Sequence, residues 1–285
     1  MRPERTTPDD QTTPDVAALR ALCEDLARRT AARLREHRPD RVEVLRTKSS
    51  ATDVVTAADA DAEAFLRREI AAARPDDAVL GEEEGSTAGT SGLTWVVDPI
   101  DGTVNYLYGL PSYSVSVAVV SGAPHPDSWT VLAGAVHDVV ADVSTSAGQG
   151  LGAATDGRRL WMSDGVEVAG MLVGTGFGYD PELRAAQGRS AAILLEHVRD
   201  LRRIGSAALD LCRVASGQLD AYYEEALGPW DHAAGELVVR EAGGVVVGVG
   251  GGAPDHRMLL AGSKSTVAVL RALLERTGVG ARVQR

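Results

Sequence analysis

The spacing of apolar residues in the first part of the chain predicts two amphipathic helices with a short strand between them. After Thr13-Pro14-Asp15, a typical helix start, apolar side chains recur at helical spacing. A second helix is predicted after Val54-Val55, where Thr56 and Asp59 stand in the positions of a capping box. Residues 1–14 are polar and lack this spacing, so we expect a disordered leader. The apolar faces comprise Leu19, Leu22, Cys23, Leu26 and Leu34 in the first helix and Ala62, Phe65, Leu66 and Ile70 in the second.

The middle of the chain has the pattern of a sheet. Two apolar runs, Tyr113–Val120 and Val131–Val140, predict an antiparallel pair of strands joined by the proline-containing loop Gly122–Asp127. The glycine-rich stretch from Gly148 to Gly157 is the predicted boundary between two parts of the fold. We expect an N-terminal α+β half over residues 15–147 and a C-terminal α/β half over residues 148–285.

The C-terminal half alternates between predicted strands and helices. Its loop Gly174–Gly178 lacks both the Lys-Ser/Thr of a P-loop and the spacing of a dinucleotide fingerprint, which argues against a nucleotide site. Gly262-Ser263-Lys264-Ser265 is interpreted as a helix cap rather than a phosphate loop. The predicted elements are strands at Met171–Val173 and Ala221–Glu224, and helices at Ala185–Val198, Leu209–Ser216, Ala233–Ala242 and Val267–Thr277.

Composition narrows the class of protein. The chain has 285 residues, 44% of them apolar, and a formal net charge of −11, which argues against a nucleic-acid surface. A phosphate ligand would need bound cations or helix N-termini to offset this field. Cys23 and Cys212 are isolated and predicted to be reduced, buried thiols. No secretion signal or run of the ~20 apolar residues that span a bilayer is present, so we expect a cytoplasmic protein without membrane contact.

The stretch from Trp95 to Asn105 carries the strongest chemical signal. Pro99 biases Asp98 towards an extended conformation, so Asp98 is predicted to end a strand. Gly102 can adopt a positive φ angle, which would let the chain turn sharply. Such a corner presents hard oxygen donors of the kind that Mg²⁺ or Mn²⁺ prefers. These donors are the carboxylates of Asp98 and Asp101, the carbonyl of Ile100 and the hydroxyl of Thr103.

Each candidate acid also has a purely structural interpretation. Asp-Pro and Asp-Gly are common turn dipeptides, and capping alone explains Asp59. Asp231 would be a good N-cap after Pro229-Trp230, although a helix start also holds anions well. The acidic run after Gly81 has the composition of a solvated surface. His232, alone at a helix start, is interpreted as a packing or surface residue and not as a catalytic acid.

Three blocks considered together change this balance: Gly81-Glu82-Glu83, the stretch from Asp98 to Asn105, and the stretch from Trp230 to Gly235. In type, order and separation they resemble the inositol monophosphatase family. This family belongs to the Mg²⁺-dependent, lithium-sensitive phosphatases, which also include fructose-1,6-bisphosphatases. The similarity extends from about Lys48 to about Gly244. It implies a layered αβαβα sandwich of the inositol monophosphatase/fructose-1,6-bisphosphatase type, and a homodimer.

The resemblance also implies roles for individual residues. It implies two or three Mg²⁺ ions per site, with Mn²⁺ as a possible substitute, and a metal-activated water that attacks phosphorus in line. The metal ligands are matched by Glu82, Asp98, the carbonyl of Ile100, Asp101 and Asp231. The catalytic positions are matched by Glu82 and Thr103, which position the water, by the outer acid Asp59, and by Lys48. The substrate contacts are matched by Asp101, Gly102, Thr103, Gly205, Ser206, Ala207, Glu224 and Asp231.

The expected substrate is a small phosphorylated polyol or sugar. Tyr222-Tyr223-Glu224 followed by Trp230-Asp231 favours inositol-1-phosphate, although Glu224 is equally consistent with a surface acid at a strand end. Fructose-1,6-bisphosphate, histidinol phosphate and, least of all, a 3′-phosphorylated nucleotide stay open. A regulatory, partner-binding protein is the alternative of a different class, and the intact acidic ligands argue against a catalytically inactive form. The loop Ser121–Thr130 departs from the family pattern at a place that would affect dimer contacts.

Overall fold

The computed structural model describes residues 14–50, 53–123, 125, 128–165 and 167–281. The predicted leader therefore lies outside the described residues, apart from Pro14. The α-helices of the described chain are α1 (Val16–Glu36), α2 (Ala57–Ala73), α3 (Thr103–Tyr108), α4 (Pro181–Leu195), α5 (Ala207–Ala215), α6 (Pro229–Glu241) and α7 (Lys264–Thr277).

The strands form one large, one intermediate and one very small sheet. Their bounds are β1 (Val44–Thr47), β2 (Val54–Thr56), β3 (Ala78–Gly81), β4 (Gly85–Thr87), β5 (Leu93–Asp101), β6 (Ser114–Gly122), β7 (Trp129–Asp138), β8 (Val143–Gly148), β9 (Gly152–Thr155), β10 (Arg158–Arg159), β11 (Leu172–Thr175), β12 (Asp200–Arg202), β13 (Ala221–Glu224), β14 (Val245–Val247) and β15 (Leu259–Gly262).

The larger sheets and the helices stack in five alternating layers. Helices α1 and α2 cover one face of the eight-stranded sheet, whose order is β10-β9-β8-β7-β6-β5-β3-β4. Helices α5 and α6 lie between this sheet and the five-stranded sheet, whose order is β12-β11-β13-β15-β14. Helices α4 and α7 cover the outer face of the second sheet. The predicted αβαβα sandwich is therefore confirmed.

Residue alternation explains why both faces of the large sheet are covered. In β6, Val115, Val117 and Val119 are buried against the α1 and α2 side, whereas Ala118 and Val120 are buried against the α5 and α6 side. Successive side chains of a strand point to opposite faces, so a strand with apolar residues on both faces requires a layer on each side. The strands β6 and β7 pair antiparallel, as predicted.

Several predicted boundaries were wrong. Strand β5 does not end at Asp98 but continues to Asp101, because its register with β6 shifts between these residues and the resulting bulge accommodates Pro99. Helix α4 begins at Pro181 and ends at Leu195, since Asp180 caps it by accepting a hydrogen bond from the backbone N–H of Leu183 (2.8 Å).

The glycine-rich segment after residue 147 contains the turn between β8 and β9 and the strand β9, and the eight-stranded sheet continues to Arg159. A division of the chain into halves at this point stays a prediction. Within the described residues no helix is long and apolar enough to cross a bilayer. Cys23 and Cys212 are both buried and free, as predicted.

Candidate active site

Strands of the eight-stranded and the five-stranded sheet end around one cavity of about 420 Å³. It lies where β3, β5 and β13 end and where α3, α5 and α6 begin. Among the predicted site residues, Asp59 and Ser206 are buried and are absent from its wall. The predicted residues that line the cavity are Lys48, Glu82, Asp98, Ile100, Asp101, Gly102, Thr103, Gly205, Ala207, Glu224 and Asp231.

Three carboxylates form the acidic centre of the cavity. Asp98, Asp101 and Asp231 each present an oxygen, and these oxygens lie within 4.8 Å of one another. Burial, followed by the nearby Glu82 and Asp101 carboxylates, raises the pKa of Asp98 and Asp231 well above the ordinary value. The three carboxylates repel one another when they are ionised. A hard divalent cation requires a set of oxygen ligands of this kind. The residues present therefore fit Mg²⁺ or Mn²⁺.

Asp101 is held in place by four donors. Its Oδ1 accepts the backbone N–H of Ala207 (3.1 Å), and its Oδ2 accepts the N–H of Ala208 (2.8 Å) and the hydroxyls of Ser206 and Ser114. Burial raises the pKa of Asp101, but these hydrogen bonds oppose the shift. The first amides of α5 are thus already occupied by a side chain of β5, which ties this helix to the large sheet at the site.

Asp98 and Glu82 share the opposite part of the cluster. The Oδ1 atom of Asp98 accepts the backbone N–H of Ile100 (2.9 Å), and its carboxyl group forms a hydrogen bond with Glu82. Burial raises the pKa of Glu82 to about 7, although the attraction of Lys48 lowers it. Without a bound metal ion, Asp98 and Glu82 therefore retain a proton close to neutral pH.

Lys48 lies between Glu82 and Glu83, the two acids that directly follow β3. Its Nζ atom is 2.8 Å from Glu82 Oε1 and 2.7 Å from Glu83 Oε1. Burial acts to lower the pKa of Lys48, but the two carboxylates outweigh it and raise the pKa. Lys48 is therefore a permanent cation that orients Glu82 rather than a proton acceptor.

Thr103 and Asp59 form a pair at the start of α3. The Oγ1 atom of Thr103 is 3.1 Å from both Asp59 Oδ1 and the carbonyl oxygen of Ile100. The Oδ2 atom of Asp59 also accepts the backbone N–H of Thr56 (2.8 Å), as the predicted capping box requires, and in addition the hydroxyl of Thr56. The structural role of Asp59 thus coexists with a contact to the cavity through Thr103.

Two local features shape the corner around these groups. Gly102 has a φ angle of +99°, as predicted, and a Cβ atom there would lie 2.9 Å from the carbonyl oxygen of Gly205. Asp231 is not the N-cap of α6, as the sequence suggested, but its third residue. Gly228 is the N-cap, Pro229 takes the first helical position, and Asp231 Oδ2 accepts the N–H of Gly228 (2.6 Å).

Glu224 faces the cavity from the end of β13. The hydroxyl of the buried Tyr222 donates to Glu224 Oε2, and burial raises the pKa of this carboxyl to about 7. A Cβ atom on Gly176 would lie 2.0 Å from Glu224 Oε2, so only glycine leaves room for this position of the carboxylate. Glu224 is therefore a fixed group of the cavity wall rather than a freely solvated acid.

The cavity also includes residues that the sequence argument missed. The loop after β11 adds aromatic side chains, and β12 ends beside the cavity, so that the exposed Arg203 adds a cation. The position of the Gly174–Gly178 loop after a strand was the one available signal. His232 is buried beside Glu236 and Trp129 and does not line the cavity. The missed residues with large side chains are Phe177, Tyr179, Leu183, Arg203 and Leu227.

Comparison with known proteins agrees with this arrangement. A family model described as "Inositol monophosphatase family" matches residues 15–278. The chain is 45% identical over 260 residues to the Mycobacterium tuberculosis protein "Inositol-1-monophosphatase SuhB", covering 85% of this chain and 86% of that protein. It is 38% identical over 232 residues to "Nus factor SuhB" of Escherichia coli, covering 79% of this chain and 81% of that protein.

The solved structure of Mycobacterium tuberculosis SuhB superimposes with a TM-score of 0.78 at 40% sequence identity, covering 94% of this chain and 99% of that chain. The sequence blocks, the layered fold and the buried acidic cluster thus lead to one assignment. The chain belongs to the inositol monophosphatase family and is a phosphoric monoester hydrolase.

Proposed function

We propose that the protein hydrolyses inositol-1-phosphate to myo-inositol and phosphate in a Mg²⁺-dependent reaction. The observation that carries the proposal is the placement of Asp98, Asp101 and Asp231 within 4.8 Å of one another. The same cavity contains the fixed carboxylate of Glu224. The wall with the three aspartates is thus suited to metal cations and phosphate, and the wall with Glu224 is suited to the hydroxyl groups of the substrate.

Asp98, Asp101, Asp231, Glu82 and the carbonyl of Ile100 would hold the metal. When bound, Mg²⁺ supplies charge neutralisation for the phosphoryl group and lowers the pKa of water. Asp101 needs no reorganisation, because its hydrogen bonds already fix it. Asp98 and Glu82 would release the proton that they retain without a cation.

Thr103 and Glu82 are proposed to orient the attacking water. When the Thr103 hydroxyl donates to Asp59 Oδ1, its oxygen lone pairs are free to accept a hydrogen bond from water. Glu82, held by Lys48, can accept a second hydrogen bond from the water and then take its proton. The water would then face phosphorus with its nucleophilic lone pair. The backbone amides of Gly102 and Thr103 are proposed to bind phosphate oxygens.

The alcohol part of the substrate would lie between the start of α5 and the end of β13. Gly205 and Ala207 leave space there, and Glu224 accepts hydrogen bonds from ring hydroxyls when ionised. Ser206 acts through Asp101, to which its hydroxyl donates. A hydroxyl-rich ring suits this wall better than a purely apolar alcohol.

A partner-binding role is a second candidate, because the Escherichia coli relative is named a Nus factor. The hydrolase assignment does not exclude such a role. The homodimer and the lithium sensitivity implied by the resemblance stay predictions, as does the cytoplasmic location expected from the sequence. Association with a basic partner that depends on the net charge of −11 would weaken at high salt.

The test is phosphate release from inositol-1-phosphate, fructose-1,6-bisphosphate, histidinol phosphate and adenosine 3′,5′-bisphosphate, with Mg²⁺ and with added Li⁺. Asp98→Asn serves as the inactive variant. Asp61→Asn, which changes an exposed acid paired with Arg33, serves as the matched control. The highest kcat/KM for inositol-1-phosphate, abolished only in Asp98→Asn, supports the proposal. A higher value for another phosphate contradicts the proposed substrate, and no Mg²⁺-dependent release contradicts the proposed reaction.

A further inference from the structure

A second buried acid on α2 lies behind the acidic loop that follows β3. Glu63 is 0% exposed and is absent from the cavity wall. Its Oε2 atom accepts the backbone N–H of Glu83 (2.7 Å), and its Oε1 atom accepts the N–H of Glu84 (3.0 Å). The loop is thus held through its backbone, independently of its own side chains.

Arg67 completes this arrangement. Its guanidinium is 2.7 Å from Glu63 Oε1 and donates to the carbonyl oxygen of Gly85 (2.6 Å). Three consecutive residues, Glu83 and Glu84 of the loop and Gly85 at the start of β4, are therefore connected to one ion pair on α2. A buried carboxylate is tolerated here because a cation and two amides share its charge.

Gly81 makes the close approach of the carboxylate possible. A Cβ atom on Gly81 would lie 2.3 Å from Glu63 Oε1, well inside contact distance. Gly81 also pairs with Val97 of β5 in the parallel register of the large sheet. Glu82 therefore stands between a residue fixed by the sheet and a residue whose amide is fixed by Glu63.

We propose that Glu63 is a positioning residue that holds the turn after β3 so that the Glu82 carboxylate faces the metal cluster. This inference rests on the proposed function, because it takes Glu82 to be a metal ligand. Glu63 acts only through Glu82 and contacts neither metal nor substrate. Outer groups that orient ligating carboxylates typically account for 10–100-fold in metal affinity or activity.

The role requires a carboxylate and not merely a polar group. Both oxygens of Glu63 accept hydrogen bonds, one from an amide and the other from an amide and Arg67. A glutamine would have to turn its NH₂ group towards one of these donors. Glu63→Gln therefore retains the size of the side chain and removes one anchor of the loop.

The experiment measures Mg²⁺ affinity of the full chain by calorimetry, together with kcat and KM for inositol-1-phosphate at saturating Mg²⁺. Glu63→Gln is expected to weaken Mg²⁺ binding by about 10-fold or more and to lower kcat, with KM changed less than about threefold. Asp61→Asn, which removes another arginine-paired acid from the same helix, should leave the Mg²⁺ affinity unchanged.

If Glu63→Gln fails to fold, the double variant Glu63→Gln/Arg67→Gln replaces it in the same titration, since it leaves no unpaired cation. A folded variant of either kind that binds Mg²⁺ as tightly as the wild type overturns the positioning role and leaves the proposed function intact. A wild-type protein that binds no Mg²⁺ overturns both. Weaker binding in both variants but not in Asp61→Asn supports the role.

Discussion

The substitution Asp98→Asn is expected to stabilise the metal-free protein while it removes the stabilisation by Mg²⁺. The Asp98 carboxylate lies within a cluster whose oxygens are no more than 4.8 Å apart. With an effective dielectric constant of about 20, each pair of full charges at that distance costs ~3.5 kcal/mol. The retained proton reduces this cost, so we expect a gain of about 1–3 kcal/mol in the metal-free protein.

The local hydrogen bonds of Asp98 survive the change. An asparagine oxygen can still accept the N–H of Ile100, and its NH₂ group can donate to Glu82 in place of the shared proton. Asp101→Asn provides the contrast, because an amide there would face at least one of four donors. We expect Asp101→Asn to lower the stability of the metal-free protein by about 1–3 kcal/mol.

Thermal unfolding at pH 8 measures both effects, first with EDTA and then with Mg²⁺. For a chain of this size, 1 kcal/mol corresponds to roughly 2–4 °C in Tm. Mg²⁺ at 100 times its Kd should stabilise the wild type by about 2.7 kcal/mol. The reasoning is refuted if Asp98→Asn lowers Tm in EDTA, or if it retains the full Mg²⁺-induced rise.

Three further substitutions test the substrate side of the cavity. Glu224→Gln should raise KM for inositol-1-phosphate by about 10-fold or more, with little change for phenyl phosphate, because the charged acceptor for ring hydroxyls is lost. Gly176→Ala should have the same selective effect, since its Cβ atom would lie 2.0 Å from Glu224 Oε2, and equal losses with both substrates would contradict this reason. Arg203→Ala should lower kcat/KM by about 3–10-fold and weaken its dependence on salt, because Arg203 is an exposed cation at a cavity whose other cation, Lys48, is paired with Glu82 and Glu83. Steady-state kinetics at two salt concentrations checks both effects of Arg203→Ala. An unchanged salt dependence of kcat/KM would show that Arg203 does not attract the substrate.

The sequence was informative about the corner between Asp98 and Thr103 because its geometry is local. A proline and a glycine within a few residues of two acids leave few allowed backbone conformations. The positive φ angle of Gly102 could therefore be predicted from the sequence. The boundary at Asp98 was wrong because the bulge depends on pairing with β6, which no local pattern contains. Asp231 was misplaced for a related reason, since an acid suits both the N-cap and the third position of a helix.

The groups that the sequence did not identify all depend on contacts between distant elements. Tyr179 and Arg203 follow β11 and β12, neighbouring parallel strands of the second sheet, and they share the cavity with residues of the first sheet that lie far away in the sequence. Glu63 sits among the buried positions of α2, where its spacing resembles that of a core residue. Its partners are amides 20 residues or more further along the chain, which carry no side-chain signature.

The two buried cysteines lie in different apolar clusters, so the opening of each cluster can be measured separately through the reactivity of its thiol. Cys23 belongs to the apolar cluster between α1 and the large sheet, whereas Cys212 belongs to the cluster between the two sheets. Burial raises the pKa of both thiols, that of Cys212 to about 12, so neither reacts with thiol reagents in the closed structure. The rate at which each cysteine becomes labelled therefore measures the opening of its own layer, and a difference between the two rates would reveal layers that open independently.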